Sequence, residues 1–159
     1  MANLKQIKRY LLSKKLQHKI IDLGDETFTV KGVVETGVDE GEIVKTLIIR
    51  TQQNLRRSQH KVKFIALAVR GKDRLDFKKV RKLFGSKSEL AKPAEISKVC
   101  GVSVGAICPI LLDIPVIFDN KVMKLKHVNM GSGDLSKGLK MDLPDLLKAI
   151  GDYQVDDLV

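Results

Sequence analysis

Apolar residues recur at helical spacing from the start of the chain: Leu4, Ile7, Leu11 and Leu12 share one face, Lys5, Lys8 and Arg9 lie outside it, and Asn3 stands where a cap belongs. Residues 16–23 read as a strand running into a turn at Gly24-Asp25. Residues 29–36 are two-sided. Their β-branched content favours a strand, yet Thr29 followed by Gly37 also frames a short helix. Residues 44–51 and 62–69 are apolar strands joined by a polar, basic loop with Arg56, Arg57 and His60, a spacing that predicts an antiparallel pair.

Further on, Asp76 caps a helix over residues 77–84 that turns Phe77, Val80, Leu83 and Phe84 inward and Lys78, Lys79, Arg81 and Lys82 outward, with Gly85 closing it. Residues 88–91 are short and strand-like. Pro93 opens a helix that Gly101 ends, following the preference for proline at helix starts and glycine past helix ends. Residues 102–112 embed a glycine and a proline among apolar residues, which suits a buried loop. Strands at 116–119, 126–130 and 139–142 precede a last helix over 144–150, closed by Gly151. Strands and helices interleave without a βαβ rhythm, and neither a repeat nor a linker interrupts them. The expectation is an α+β fold: one domain over residues 1–159, a mixed, barrel-like β-sheet with surrounding helices.

Composition agrees with a globular chain: 159 residues, 43% hydrophobic and 30% charged. No apolar run approaches the ~20 residues that a membrane crossing needs, and no leader pattern opens the chain, so a cytoplasmic location without membrane partners is expected. The net charge of +10 is uneven. Residues 1–20 hold six basic residues and no acid, and residues 51–100 hold fourteen basic against four acidic. Such a surface attracts phosphate backbones, although a merely solvated surface has the same composition. With five Phe, two Tyr and no Trp, a stacking platform for single-stranded RNA is disfavoured.

The familiar catalytic kits are missing. Cys100 and Cys108 form no C-x-x-C and have no His at ligand spacing, and His18, His60 and His127 are scattered. No metal and no cofactor is expected, and no phosphate-loop, dinucleotide or nucleophile-elbow motif occurs. Three places resist a purely structural explanation. Lys45 sits inside the apolar run from Ile43 to Ile49, where alternation places it with Ile43, Leu47 and Ile49; it must snorkel, pair with an acid or face an anion. Gly105-Ala106-Ile107-Cys108-Pro109 could turn backbone N–H groups to a ligand or be a plain apolar connection. Gly131-Ser132-Gly133 reads as a turn between strands or as a ligand loop.

Taken in order, these residues resemble a known family. Gly-Glu-Ile-Val-Lys45-Thr-Leu, Leu75-Asp76-x-Lys-Lys-Val, Val104-Gly105-Ala-Ile-Cys-Pro109, Val128-Asn129-x-Gly131 and Leu143-Pro144-x-Leu-Leu look like the YbaK/prolyl-tRNA synthetase editing-domain family, over about residues 4 to 158. The resemblance implies a free-standing, metal-independent aminoacyl-tRNA deacylase that hydrolyses the ester of mischarged tRNA, with Cys- or Ala-tRNA(Pro)-like substrates. It implies mischarged tRNA as partner, and an aminoacyl-tRNA synthetase beside it. Lys45 matches the family lysine that holds the phosphate or ribose end of the substrate. Gly105 and Pro109 match the G-x-x-x-P loop whose backbone, through Ala106, Ile107 and Cys108, embraces the aminoacyl carbonyl. Phe28 matches an aromatic wall of the amino-acid pocket, and Asn129, Gly131 and Gly133 complete the substrate-binding set. The same match favours a helix over residues 29–36. The basic residues Arg56, Arg57, Lys78, Arg81 and Lys82 are the expected tRNA surface.

Three positions depart from the family pattern: Cys108 where members often have Ser, Leu111 where a Gly often follows the loop proline, and Lys140 where an acid is common. Cys108 has no His nearby in sequence to activate it as a nucleophile. The alternative is a family member that keeps the fold and RNA affinity without hydrolysis.

Overall fold

The computed structural model describes residues 3–27, 29–55 and 59–159, with the backbone alone for 53–55 and 59–61. Helix α1 (Leu4–Ser13) starts where sequence places it. The Asn3 side chain accepts from the Gln6 N–H at 3.0 Å and the Gln6 side chain accepts from the Asn3 N–H at 2.9 Å, a reciprocal cap. Ile7 and Leu11 are fully buried beneath it, each burial stabilising by about 1.5–3 kcal/mol. After strand β1 (Lys19–Asp22), residues 29–36 resolve as helix α2 (Val30–Glu35), because Thr29 Oγ1 accepts from the Gly32 N–H and sets a cap.

Strands β2 (Val44–Leu55) and β3 (Gln59–Arg70) form the expected antiparallel hairpin, in register from Val44 opposite Arg70 to Leu55 opposite Gln59. Helix α3 (Phe77–Phe84) is capped by Asp76 and ended by Gly85 in the left-handed conformation. Strand β4 (Ser88–Leu90), helix α4 (Pro93–Cys100) and strand β5 (Val116–Asp119) follow, then β6 (His127–Gly131), β7 (Lys137–Asp142), α5 (Leu143–Ile150) and β8 (Gln154–Asp156).

The mixed sheet divides into two. One has the order β4-β2-β3-β5-β8, with β5 parallel to both its neighbours; the other has the order β1-β7-β6 and is antiparallel. Among the described residues a single parallel bridge, between Ile43 and Asn129, links them, and the two sheets pack about a shared core without closing into a true barrel. Alternation along β2 and β3 feeds two cores. Val44, Ile48, Ala66 and Ala68 face the three-stranded sheet, α1, α4 and α5, whereas Ile49, Ile65, Leu67 and Val69 face Val80 of α3 and Leu158.

Two details differ from the sequence reading. Leu83, expected inward, is 37% exposed: α3 is only two turns long and Val80 alone is buried from it. Strand β8 was not anticipated, because its pairing with β5 is with a segment far away in sequence.

Candidate functional site

A cavity of about 170 Å³ opens where the two sheets meet at the Ile43–Asn129 bridge. The start of β2 supplies Lys45 and Thr46, the loop between α4 and β5 Gly105 and Ile107, and the end of β6 Asn129 and Gly131. Helix α2 roofs it with Val30 and Val33, and Ile21, Leu23 and Val38 complete apolar walls. Lys45, Gly105, Ile107, Asn129 and Gly131, read from sequence as separate candidates, thus line one cavity.

Lys45 is half-buried, and its amine donates to the Gly71 carbonyl at 3.2 Å, just past the end of β3. Among the described residues no carboxylate lies within 4 Å of it; Asp73, the nearest acid by its effect, is held by Arg70 at 2.7 Å. Burial pulls the Lys45 amine below its ordinary range, Asp73 opposes that shift and Arg74 adds to it. Of the three fates open to Lys45, pairing with an acid is not what this arrangement shows. The amine sits at the cavity edge with one neutral acceptor.

The loop above the cavity is held by close backbone approach. Gly105 has φ +90°, a conformation that side chains disfavour. Among the described residues no backbone carbonyl takes the N–H of Gly105 or of Ile107. Gly131 lies directly under the loop, where any Cβ would strike the Ala106 carbonyl carbon at 2.8 Å. Gly133 donates its N–H to the Ala106 carbonyl at 2.7 Å, and its own Cβ would meet the Leu4 nitrogen at 2.9 Å. It lies outside the cavity lining and seats α1 against the turn. The Gly131-Ser132-Gly133 turn is therefore a packing joint as well as a boundary of the site.

Other expected residues lie elsewhere. Ala106 and Cys108, within the loop, are buried and do not line the cavity, and Pro109 borders a separate cavity with Tyr10, Leu111 and Leu112. Burial pushes the Cys108 thiol up to about 12, so it is un-ionised at neutral pH. Lys78, Arg81 and Lys82 are exposed on α3, with the Arg81 guanidinium 5.6 Å from the Phe77 ring centre. Phe28, Arg56 and Arg57 lie outside the described residues.

Three features escaped the sequence reading. The Asn129 amide donates to Glu42 at 2.8 Å, and Lys140 reaches the same Glu42 oxygen at 3.2 Å. Lys140, the departure from the acidic family position, thus ends a chain of contacts that fixes Asn129 at the cavity. Thr46 Oγ1 is buried and lacks a hydrogen-bond partner among the described residues. Its signal in the sequence was a hydroxyl within an otherwise apolar strand beside Lys45. Asp134 also lines the cavity, its carboxylate held low by the hydroxyl and N–H of Ser136.

Residues 26–149 match the family model described as aminoacyl-tRNA editing domain, and the chain belongs to that family. It is 23% identical over 147 residues to the uncharacterized protein YwhH of Bacillus subtilis (strain 168), covering 91% of this chain and 88% of that one. The crystal structure of hypothetical protein APE2540 superposes with a TM-score of 0.80 at 26% identity, over 96% of this chain and 97% of that one. That of "a putative trans-editing enzyme for prolyl tRNA synthetase" superposes with a TM-score of 0.77 at 23% identity, over 99% and 98% of the two chains, a likeness of fold.

Proposed function

We propose, with membership of the aminoacyl-tRNA editing domain family as the premise, that this chain is a deacylase acting in trans on mischarged tRNA. The observation that carries the reading is the convergence of the Lys45 amine and the Gly105–Ile107 backbone on one small, apolar cavity.

The reaction consumes one water. Its oxygen bonds to the aminoacyl carbonyl carbon, the ester C–O bond breaks, and the terminal ribose oxygen leaves with a proton, giving free amino acid and tRNA. The chain supplies positioning and charge. Lys45, with one neutral acceptor of its own, binds the phosphate or ribose end of the substrate. The N–H groups of Gly105 and Ile107 take the carbonyl oxygen as it gains negative charge. Cys108 takes no part, because a thiol with a pKa near 12 gives almost no thiolate. The adjacent ribose hydroxyl of the substrate and the bound water carry the proton.

Specificity follows from the walls. Ile21, Leu23, Val30, Val33 and Val38 offer a misattached side chain an apolar lining, and a charged group pressed against those walls would be desolvated. Alanine and cysteine attached to a proline-accepting tRNA fit that description, and a prolyl-tRNA synthetase is the partner that would produce such errors. Incubation with a panel of mischarged tRNAs tests the reading. Release of a small amino acid faster than spontaneous hydrolysis is expected, and no acceleration with any member would sink it.

A further inference from the structure

Beside the cavity lies a second, wider groove that the deacylase reading does not use. It runs between α1 and the β6–β7 turn, and Lys5, Lys8, Arg9, Leu12, Gly133 and Asp134 line it. Asp134 borders both spaces, so the groove adjoins the cavity. Positions 5, 8, 9 and 12 are three and four residues apart and form one stripe along the helix, next to the buried face of Ile7 and Leu11. Lys5, Lys8 and Arg9 are exposed, and among the described residues no carboxylate lies within 4 Å of their charged groups. The one carboxylate on the opposite wall, Asp134, is already taken by Ser136 at 2.7 and 2.8 Å. Leu12 is 67% exposed at the end of the stripe.

We propose that this stripe of α1 is the phosphate-binding surface for the RNA strand that leaves the cavity, with Lys5, Lys8 and Arg9 on successive phosphates and Leu12 against a ribose or base. The inference rests on the deacylase reading for the identity of the strand. An ester bound in the cavity is attached to a phosphodiester chain, and that chain needs an exit lined by cations. The groove, which shares Asp134 with the cavity, meets the need, whereas Lys78, Arg81 and Lys82 stand on α3, which among the described residues contributes nothing to the cavity lining. The position of the stripe is fixed by Gly133, whose lack of a side chain lets the turn meet the backbone of Asn3 and Leu4.

The test compares tRNA binding by wild type, a K5Q/K8Q/R9Q variant and a K78Q/R81Q/K82Q variant across roughly 50 to 200 mM salt, because each phosphate contact releases counterions. The α1 variant should lose affinity on the order of 10- to 100-fold, with the slope of log K against log salt reduced by about 2–3. Its hydrolysis of a minimal aminoacyl-adenosine should be unchanged, and the α3 variant should lose less. Wild-type tRNA affinity in the α1 variant would overturn the proposal. So would equal loss on the minimal substrate, or retained tRNA affinity with lost binding to anionic phospholipid vesicles. Failure of wild type on every mischarged tRNA would remove the deacylase reading alone, since the binding comparison is read without turnover.

Discussion

Gly131 and Ile107 meet backbone to backbone, with no room for a side chain between strand β6 and the loop that overhangs it. The loop cannot be lifted without opening the cavity, nor the strand moved without moving Asn129. Gly131→Ala should therefore destabilise the protein by about 1–3 kcal/mol, the range for forcing extra atoms into a packed site. Urea unfolding of the variant checks the figure, and unchanged stability would mean that the loop yields freely.

Among the described residues the Lys45 side chain makes one hydrogen bond, to the Gly71 carbonyl. Lys45→Ala should leave folding intact while lowering deacylation about 10²–10³-fold, the loss seen when one group facing developing charge is removed. Gly105→Ala, at φ +90°, should depress turnover more than melting temperature. Single-turnover rates beside thermal melts separate the two effects, and wild-type rates in Lys45→Ala would remove the lysine from the reaction.

Leu111 has φ +61°, in the left-handed region that favours glycine. For a residue with a Cβ this conformation costs about 1–2 kcal/mol. Leu111→Gly should accordingly be more stable than Leu111→Ala by about 1 kcal/mol, a reversal of the usual ranking. Denaturation midpoints of the pair decide it.

The thiol of Cys108 gives a pH signature. Its folded pKa, about 12, lies above the ordinary 9, so its contribution is fully present below pH 9 and is lost as pH rises toward 12, where the unfolded chain has already released its proton. Stability should fall across that window by up to about 4 kcal/mol from this group, and Cys108→Ala should flatten the decline. Cys108→Ser should keep deacylase activity, and the native thiol should resist alkylation at pH 8. Rapid alkylation with loss of activity would restore Cys108 as a candidate nucleophile.

Local features were the legible part of this fold. Asn3, Thr29 and Asp76 cap helices because capping is decided within three residues, and Gly85 and Gly101 end them for the same reason. Lys45 was visible as an oddity in an apolar strand, but sequence gave no hint that its amine would meet Gly71. Gly131 and Gly133 looked like residues of an ordinary turn, because what demands glycine there is the backbone of Ala106, Ile107, Asn3 and Leu4, reached only through the tertiary fold. The link from Lys140 through Glu42 to Asn129 was hidden for the same reason: its members are far apart along the chain.

The pairing of β1 with β7 joins residues 19–22 to residues 137–140, whereas β2 and β3 are neighbours along the chain. Closing so long a loop is entropically dearer than closing a hairpin, and contacts of that separation form late. The β2–β3 hairpin should be protected from hydrogen exchange early in refolding, and the β1–β7–β6 sheet only afterwards. Lys45 would then be laid down in the first structured element and would wait for Asn129 and Gly131. Completion of the cavity becomes the final event of folding, so a chain caught part-way would hold its lysine in place with no cavity to serve.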